Sequence, residues 1–210
     1  MKEIIQKVKA INIYLKIEMR LFAVIILTFI SSCGSSQEEE PITIMESEDT
    51  ESVAPIIQTP TPLIHLEDNL DEQDQLGWCI DTRGNGFNEV LHTHSCKPSG
   101  GDVQFTYNEE TLQICSVEFI GFCVEMSEGV LEGASLSLVE SDTESPNQKF
   151  VYNAENGEFN PEENANLCLA AGSVSSAAGI YMSRSLTLEL SSEIDESLKK
   201  WVIVSAESTD

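Results

Sequence analysis

Cys79-Ile80-Asp81, Cys123-Val124-Glu125 and Cys168-Leu169-Ala170 repeat one phrase at intervals of 44 and 45 residues. Each copy runs on to an aromatic that ends a strand-like stretch, at Phe105, Phe150 and Trp201. A period of this length marks one supersecondary unit used three times, and a unit of about 40 residues cannot bury its own apolar face. Three copies must therefore pack into one body.

The unit reads as strands. Leu136 and Leu138, then Leu186, Leu188 and Leu190, alternate with polar residues at period two, which sets each row of leucines on one face of a sheet. After Gln75 no i, i+3, i+4 apolar stripe persists long enough to predict a helix. Turn chemistry separates the runs at Arg83-Gly84-Asn85-Gly86, Pro98-Ser99-Gly100-Gly101, Ser145-Pro146-Asn147 and Asn156-Gly157. Short strands, frequent turns and a threefold period predict a small, closed, all-β body.

The first copy has Cys79-Ile80-Asp81, Gly84-Asn85-Gly86, the strand Leu91-His92-Thr93-His94-Ser95-Cys96 and the closure Val103-Gln104-Phe105. The second copy closes on Gln148-Lys149-Phe150 and the third on Lys199-Lys200-Trp201. This order of Cys-apolar-Asp, Gly-x-Gly, an alternating strand ending in Cys and a Gln-x-aromatic closure resembles the repeat of ricin-B-type (R-type) β-trefoil lectins. The resemblance spans residues 75–206. It implies a β-trefoil over 74–206, with pseudo-repeats at about 75–114, 115–162 and 163–206 and a tail at 207–210. Only the second copy keeps the closing Gln; Val103 and Lys199 replace it in the others.

The resemblance also implies a bridge between Cys79 and Cys96, the positions that the R-type repeat pairs. The matching partner positions are Ser141 in the second copy and near Ser191 in the third. Cys115 and Cys123 flank a possible hairpin where a cross-strand bridge is geometrically acceptable, which leaves Cys168 as a buried thiol. An exchange of these pairs is not decided by the spacing.

In sugar-binding R-type repeats, the Asp after the first Cys accepts hydrogen bonds from two hydroxyls. An aromatic on the next strand covers the sugar's apolar face, and a polar residue before the closure completes the ring. A carboxylate gives charge-assisted, directional bonds to a diol, and a ring adds apolar contact. Carried onto this chain, the resemblance implies one carbohydrate site in the first repeat: Asp81, His92, His94 at the aromatic position, and Asp102. The second copy offers Glu125 but Ser137 and Val139 on the facing strand, and the third has Ala170 in place of the acceptor. Asp81 also reads as a turn residue bonded to the Gly84-Asn85-Gly86 loop. His92, His94 and Cys96 allow a zinc reading, because alternate strand residues project to one side. The implied bridge takes Cys96 and no fourth ligand is indicated, so neither a metal nor any other cofactor is expected.

The amino terminus sets the compartment. Leu21 to Ile30 is a nearly unbroken apolar run after Arg20, too short for a stable span and followed by Ser31-Ser32-Cys33-Gly34. This resembles a bacterial lipoprotein signal over residues 1–32, with a true start possible at Met19 and lipidation at Cys33. Several acyl chains on one residue anchor stably, since each buried CH2 contributes about 0.8 kcal/mol. Gly34 after that cysteine, by likeness to lipoprotein sorting signals, points to the outer membrane of the cell envelope. The alternative is a plain secretory signal with a structural Cys33. Residues 33–73 hold no aromatic, Lys or Arg but four of the seven prolines, together with runs such as Glu38-Glu39-Glu40, and they read as a disordered acidic tether.

Removing residues 1–32 takes away five of the 11 basic residues and two of the 36 acidic ones, which leaves 6 and 34 and a net charge of −28. Nucleic acid and anionic lipid surfaces are poor partners for such a chain, because phosphate binding needs clustered Lys and Arg. No Gly-x-Ser-x-Gly elbow or paired-carboxylate cleft is indicated, so the chain reads as non-enzymatic. The sequence therefore predicts a lipid-anchored β-trefoil that binds carbohydrate. The alternative is a trefoil scaffold whose loops engage a protein partner.

Overall fold

The computed structural model describes residues 53–70 and 72–206. Residues 1–52, 71 and 207–210, which include the expected signal segment, Cys33, most of the expected tether and the tail, lie outside the described residues.

The described chain forms three four-stranded modules. The first has β1 (Leu63–Leu66), β2 (Trp78–Thr82), β3 (Leu91–Ser95) and β4 (Phe105–Asn108). The second has β5 (Gln113–Ser116), β6 (Phe122–Met126), β7 (Leu136–Glu140) and β8 (Phe150–Asn153). The third has β9 (Glu158–Pro161) and β10 (Leu167–Ala171), then an inserted hairpin, β11 (Ser176–Ala178) and β12 (Tyr181–Arg184), then β13 (Leu186–Leu190) and β14 (Trp201–Val204). Among the described residues there is no α-helix, only 3-10 turns at Pro146–Gln148 and Glu196–Leu198.

Strand pairing follows one rule three times. The second and third strands of each module form an antiparallel hairpin, β2 with β3, β6 with β7 and β10 with β13. The fourth strand of each module pairs with the first of the next, β4 with β5, β8 with β9, and β14 back to β1. That last pairing closes the ring, and closure removes the free edges at which open sheets aggregate. The register places Phe105 opposite Ser116, Phe150 opposite Pro161 and Trp201 opposite Leu66, so the three closing aromatics are structural equivalents. They are buried in one core with Ile64, Ile114 and Phe159 from the first strands and Ile80, Val124 and Leu169 from the second. Six antiparallel pairings, two per module, around a shared threefold core define a β-trefoil, the fold of R-type lectins.

The structure corrects the domain boundaries expected from the sequence. The domain begins before residue 74: Leu63–Leu66, which falls within the expected tether, is β1, buried throughout and paired along its length with β14. The modules therefore run about 63–108, 113–153 and 158–204, not 75–114, 115–162 and 163–206. Both faces of β1 are covered, so its side chains show no period-two alternation, and it follows directly on Pro60 and Pro62.

Disulfides join Cys79 to Cys96 and Cys115 to Cys123, and Cys168 is a buried free thiol. Burial, the largest influence, pushes the Cys168 thiol up to about 11, which makes it inert as a nucleophile near neutrality.

The closures that depart from Gln are explained by their partners. Equivalent backbone bonds run from Cys96 N to Gly77 O, from Ser141 N to Gly121 O and from Ser191 N to Asn166 O, which fixes the three spots as the same place in the fold. In the second module Gln148 is buried there and accepts from Gln113 Nε2 at 2.8 Å. In the third, Lys199 replaces Gln148 and Glu158 replaces Gln113; Lys199 Nζ lies 3.0 Å from Glu158 Oε1, and Ser191 Oγ donates to Glu158 Oε2 at 2.8 Å. In the first, Val103 and Leu63 pack against the Cys79–Cys96 bridge. One buried spot is thus filled by an amide pair, an ion pair and an apolar cluster, each satisfied in its own way.

Candidate functional site

The β2–β3 register sets Asp81 opposite His92 and Cys79 opposite His94, so all four side chains project from one face of the hairpin. Asp81 and the two histidines meet there: His92 Nε2 and His94 Nδ1 are each 3.6 Å from Asp81 Oδ2. Asp102 reaches the same place from the turn before β4, through a residue the sequence reading did not include. Lys97 Nζ lies 2.9 Å from Asp81 Oδ2 and 2.9 Å from Asp102 Oδ1. The four candidate residues converge, but around an ammonium supplied by the chain itself.

The backbone of Lys97 is fixed on both sides. Cys96 is tied to Cys79, and the Lys97 carbonyl accepts from Thr59 Oγ1 and from Gly100 N, both at 2.9 Å. Gly100 closes this turn at φ 69°, where a side chain would be strained, and a Cβ there would push aside Gln104 Oε1, 2.6 Å away. Burial works to lower the Lys97 pKa, yet the Asp81 and Asp102 carboxylates outweigh it and hold the ammonium above its usual range. Burial lowers the His94 pKa, despite the Ser95 carbonyl 2.9 Å from Nδ1 and the Asp81 carboxylate.

A ring also reaches the site from the third module. β12 pairs with β3, setting Ser183 opposite His94, and Tyr181 stands edge-on to the His94 ring with centroids 5.4 Å apart. Thr93 accounts for this docking. It occupies the register position that Leu138 and Leu188 fill in the other modules, and its hydroxyl donates to the Ser185 carbonyl at 3.1 Å. Arg184 adds a guanidinium 4.4 Å above the Trp78 ring and a 3.0 Å bond to the Gly172 carbonyl.

Asp81 has 0% exposure, so in this closed arrangement it accepts nothing from a sugar. Its Oδ2 meets Lys97 as a charge contact without hydrogen-bond geometry; Oδ1 and His92 Nε2 are buried atoms with no hydrogen-bond partner among the described residues. Buried polar atoms are nearly always satisfied, and exceptions concentrate where a ligand or a rearrangement completes them. The alternative role for Asp81, bonding the Gly84–Gly86 loop, has no support: the residue that bonds that loop is Thr82, whose Oγ1 donates to the Gly86 carbonyl at 2.7 Å. Cys96 is taken by its disulfide and supplies no thiolate to a metal.

The equivalent faces of the other modules are poorer. Glu125 lies opposite Ser137 and is oriented by Gln148 Nε2 at 3.2 Å, but Val139 gives it no ring. Ala170 lies opposite Thr187 and offers no acceptor.

No protein-family model matches the chain, and no curated protein does so significantly. Among solved structures the chain is similar to the agglutinin of Abrus precatorius, at 12% identity and TM-score 0.48, over 70% of this chain and 48% of that one. It therefore spans about half the length of the agglutinin. It is also similar to the C-half of the earthworm R-type lectin in complex with GalNAc, at 14% identity and TM-score 0.47, over 68% of this chain and 98% of that one. A third similarity is to cytolethal distending toxin from Actinobacillus actinomycetemcomitans, at 14% identity and TM-score 0.45, over 72% and 98% of the two chains.

Proposed function

We propose that this protein is a cell-envelope lipoprotein, acylated at Cys33, whose β-trefoil binds carbohydrate at the first module. The convergence of Asp81, His92, His94 and Asp102 on one hairpin face carries this reading. Once the Lys97 side chain swings away, two carboxylates face a ligand's hydroxyls as charge-assisted acceptors, two imidazoles border them, and Tyr181 supplies a ring edge. An affinity built from so few contacts is weak, and clustering on a membrane would raise it through avidity.

Multivalent display of the full chain on a broad glycan array tests the reading. Asp81→Ala removes an acceptor whose charge-assisted bonds contribute about 1.5–3 kcal/mol each, so binding should fall below detection. Glu125→Ala should leave it intact. Retention of full binding by folded Asp81→Ala would sink the site. The anchor is tested separately: Cys33→Ser should move the protein out of the membrane fraction, and continued detergent-dependent partitioning of that variant would refute acylation there.

One observation favours the scaffold reading. Phe87 is 47% exposed and packs edge-on against Phe119 and Phe122, and the neighbouring Ile120 is 89% exposed. A ridge of this kind fits an apolar pocket on a protein partner. An array on which the parent binds no glycan would make that ridge the better account.

A further inference from the structure

We propose that the first-module site is selective for a protonated primary amine, and that Lys97 is an internal ligand which an amino sugar with a free amine displaces. The inference rests on the carbohydrate reading and narrows its ligand class. It starts from what the site already holds: a primary ammonium at 2.9 Å from one oxygen of each of two carboxylates, Asp81 and Asp102. A site that stabilises an ammonium there will stabilise another of the same charge and size in the same place.

The second observation is what that ammonium leaves unmet. Asp81 is wholly buried, and its Oδ1, like His92 Nε2, has no hydrogen-bond partner among the described residues. The lysine thus meets only part of the site's bonding capacity. An amino sugar carries hydroxyls beside its amine, and these can donate to Asp81 Oδ1 and to the imidazole nitrogen, which Lys97 cannot reach with its single head group. Exchange needs little motion. The Lys97 backbone is held by Thr59, Gly100 and the neighbouring disulfide, so only the flexible side chain has to rotate out.

Amine recognition also fits the charge of the whole chain, since a net charge of −25 attracts cationic ligands and disfavours anionic glycans. That same attraction is the main alternative explanation, and it sets the controls.

The test is calorimetric titration of the full chain with the β-1,4-linked glucosamine disaccharide and with its N-acetylated counterpart, at mildly acidic pH. The free-amine sugar should bind more tightly, by about tenfold or more, because acetylation removes the charge and two donors. Lys97→Ala should tighten it further by about tenfold, since no internal competitor remains. Asp102→Asn should abolish it. Glu110→Gln, an equal charge change at an exposed turn outside the site, should leave it unchanged. In the parent, saturation with the free-amine sugar should move the Lys97 side-chain methylene resonances, assigned by their loss in Lys97→Ala, to the positions of a solvent-exposed lysine, a readout of side-chain release that is made on the parent itself.

Equal or tighter binding of the N-acetylated sugar overturns the proposal, and so does an equal loss in Glu110→Gln and Asp102→Asn, which would mean general attraction. Unmoved Lys97 side-chain resonances at saturation overturn Lys97 as the displaced group. If neutral glycans bind on the array while the free-amine disaccharide does not, amine selectivity fails and the carbohydrate reading stands. If nothing binds in either assay, both fail.

Discussion

Glu158 and Lys199 form a buried ion pair where the second module has two glutamines, so the chain contains its own control for what that charge contributes. Replacing one partner strands a buried charge, which typically costs about 3 kcal/mol or more. Glu158→Gln and Lys199→Gln should each destabilise the fold by that order in denaturant titrations. The double variant recreates the Gln113–Gln148 arrangement and should return to within about 1 kcal/mol of the parent. If the double variant is as unstable as the sum of the singles, the equivalence of the two spots is refuted. The pH dependence follows from the same residues. Burial raises the Glu158 pKa, but Ser191, Lys199 and Asn160 outweigh it and hold the carboxyl below its ordinary 4.5. Its contribution is therefore present above pH 4.5 and lost as pH falls through the depressed value. Burial also holds His65 and His94 below 6.5; the unfolded chain takes up those protons first, so stability also declines as pH drops below 6.5. Thermal melts against pH should show both steps, and Glu158→Gln should shrink only the lower one, to which Asp195, held down by Ser197, also contributes.

The Cys79–Cys96 bridge ties β2 to the turn that carries Lys97, and its two ends are 17 residues apart in the chain. Closing a loop of that size stabilises by roughly 3 kcal/mol in chain-entropy models. Cys96→Ala should lower the melting temperature accordingly, whereas Cys168→Ala should cost only what a small buried side chain costs. A free thiol at Cys79 in the oxidised protein, detected by mass spectrometry, would refute the bridge. How far the elements could be read beforehand depended on local signal. The β2–β3 hairpin was legible because Cys79-Ile80-Asp81 and the alternating His92 and His94 fix its register, and with it the convergence on Asp81. Lys97 was missed although it follows Cys96 directly, since a lysine in a turn gives no sign of bending back onto a buried carboxylate. Tyr181 carried no signal at all, because it arrives on a hairpin inserted in the third module and meets His94 only through the pairing of β12 with β3. Thr93 was the available hint: a polar residue where the other modules place leucine needs a polar partner from elsewhere in the fold.

At the scale of the whole molecule, the ring closes through β1. This strand pairs in register with β14 over four successive residues, contributes Ile64 and Leu66 to the main core and packs Leu63 against the first disulfide. The segment before it belongs to the same body: Ile56 N donates to the Gln75 carbonyl, Asn69 N to the Val53 carbonyl, and Thr59 holds the turn of Lys97. A fragment that starts at residue 74, where the sequence placed the boundary, would lose all of these contacts. It would leave β14 as an open edge and expose Trp201, whose place in the core is otherwise covered by Leu66. Burying an aliphatic side chain contributes about 1.5–3 kcal/mol, so losing Leu63, Ile64 and Leu66 together approaches the whole stability of an ordinary domain. Fragments 53–206 and 74–206 should therefore differ in kind when produced side by side. The longer should be monomeric, with dispersed amide resonances and a cooperative melt; the shorter should aggregate or show no cooperative transition. A cooperative melt of the 74–206 fragment near the temperature of the longer one would show that β1 is an accessory strand and that the trefoil closes without it.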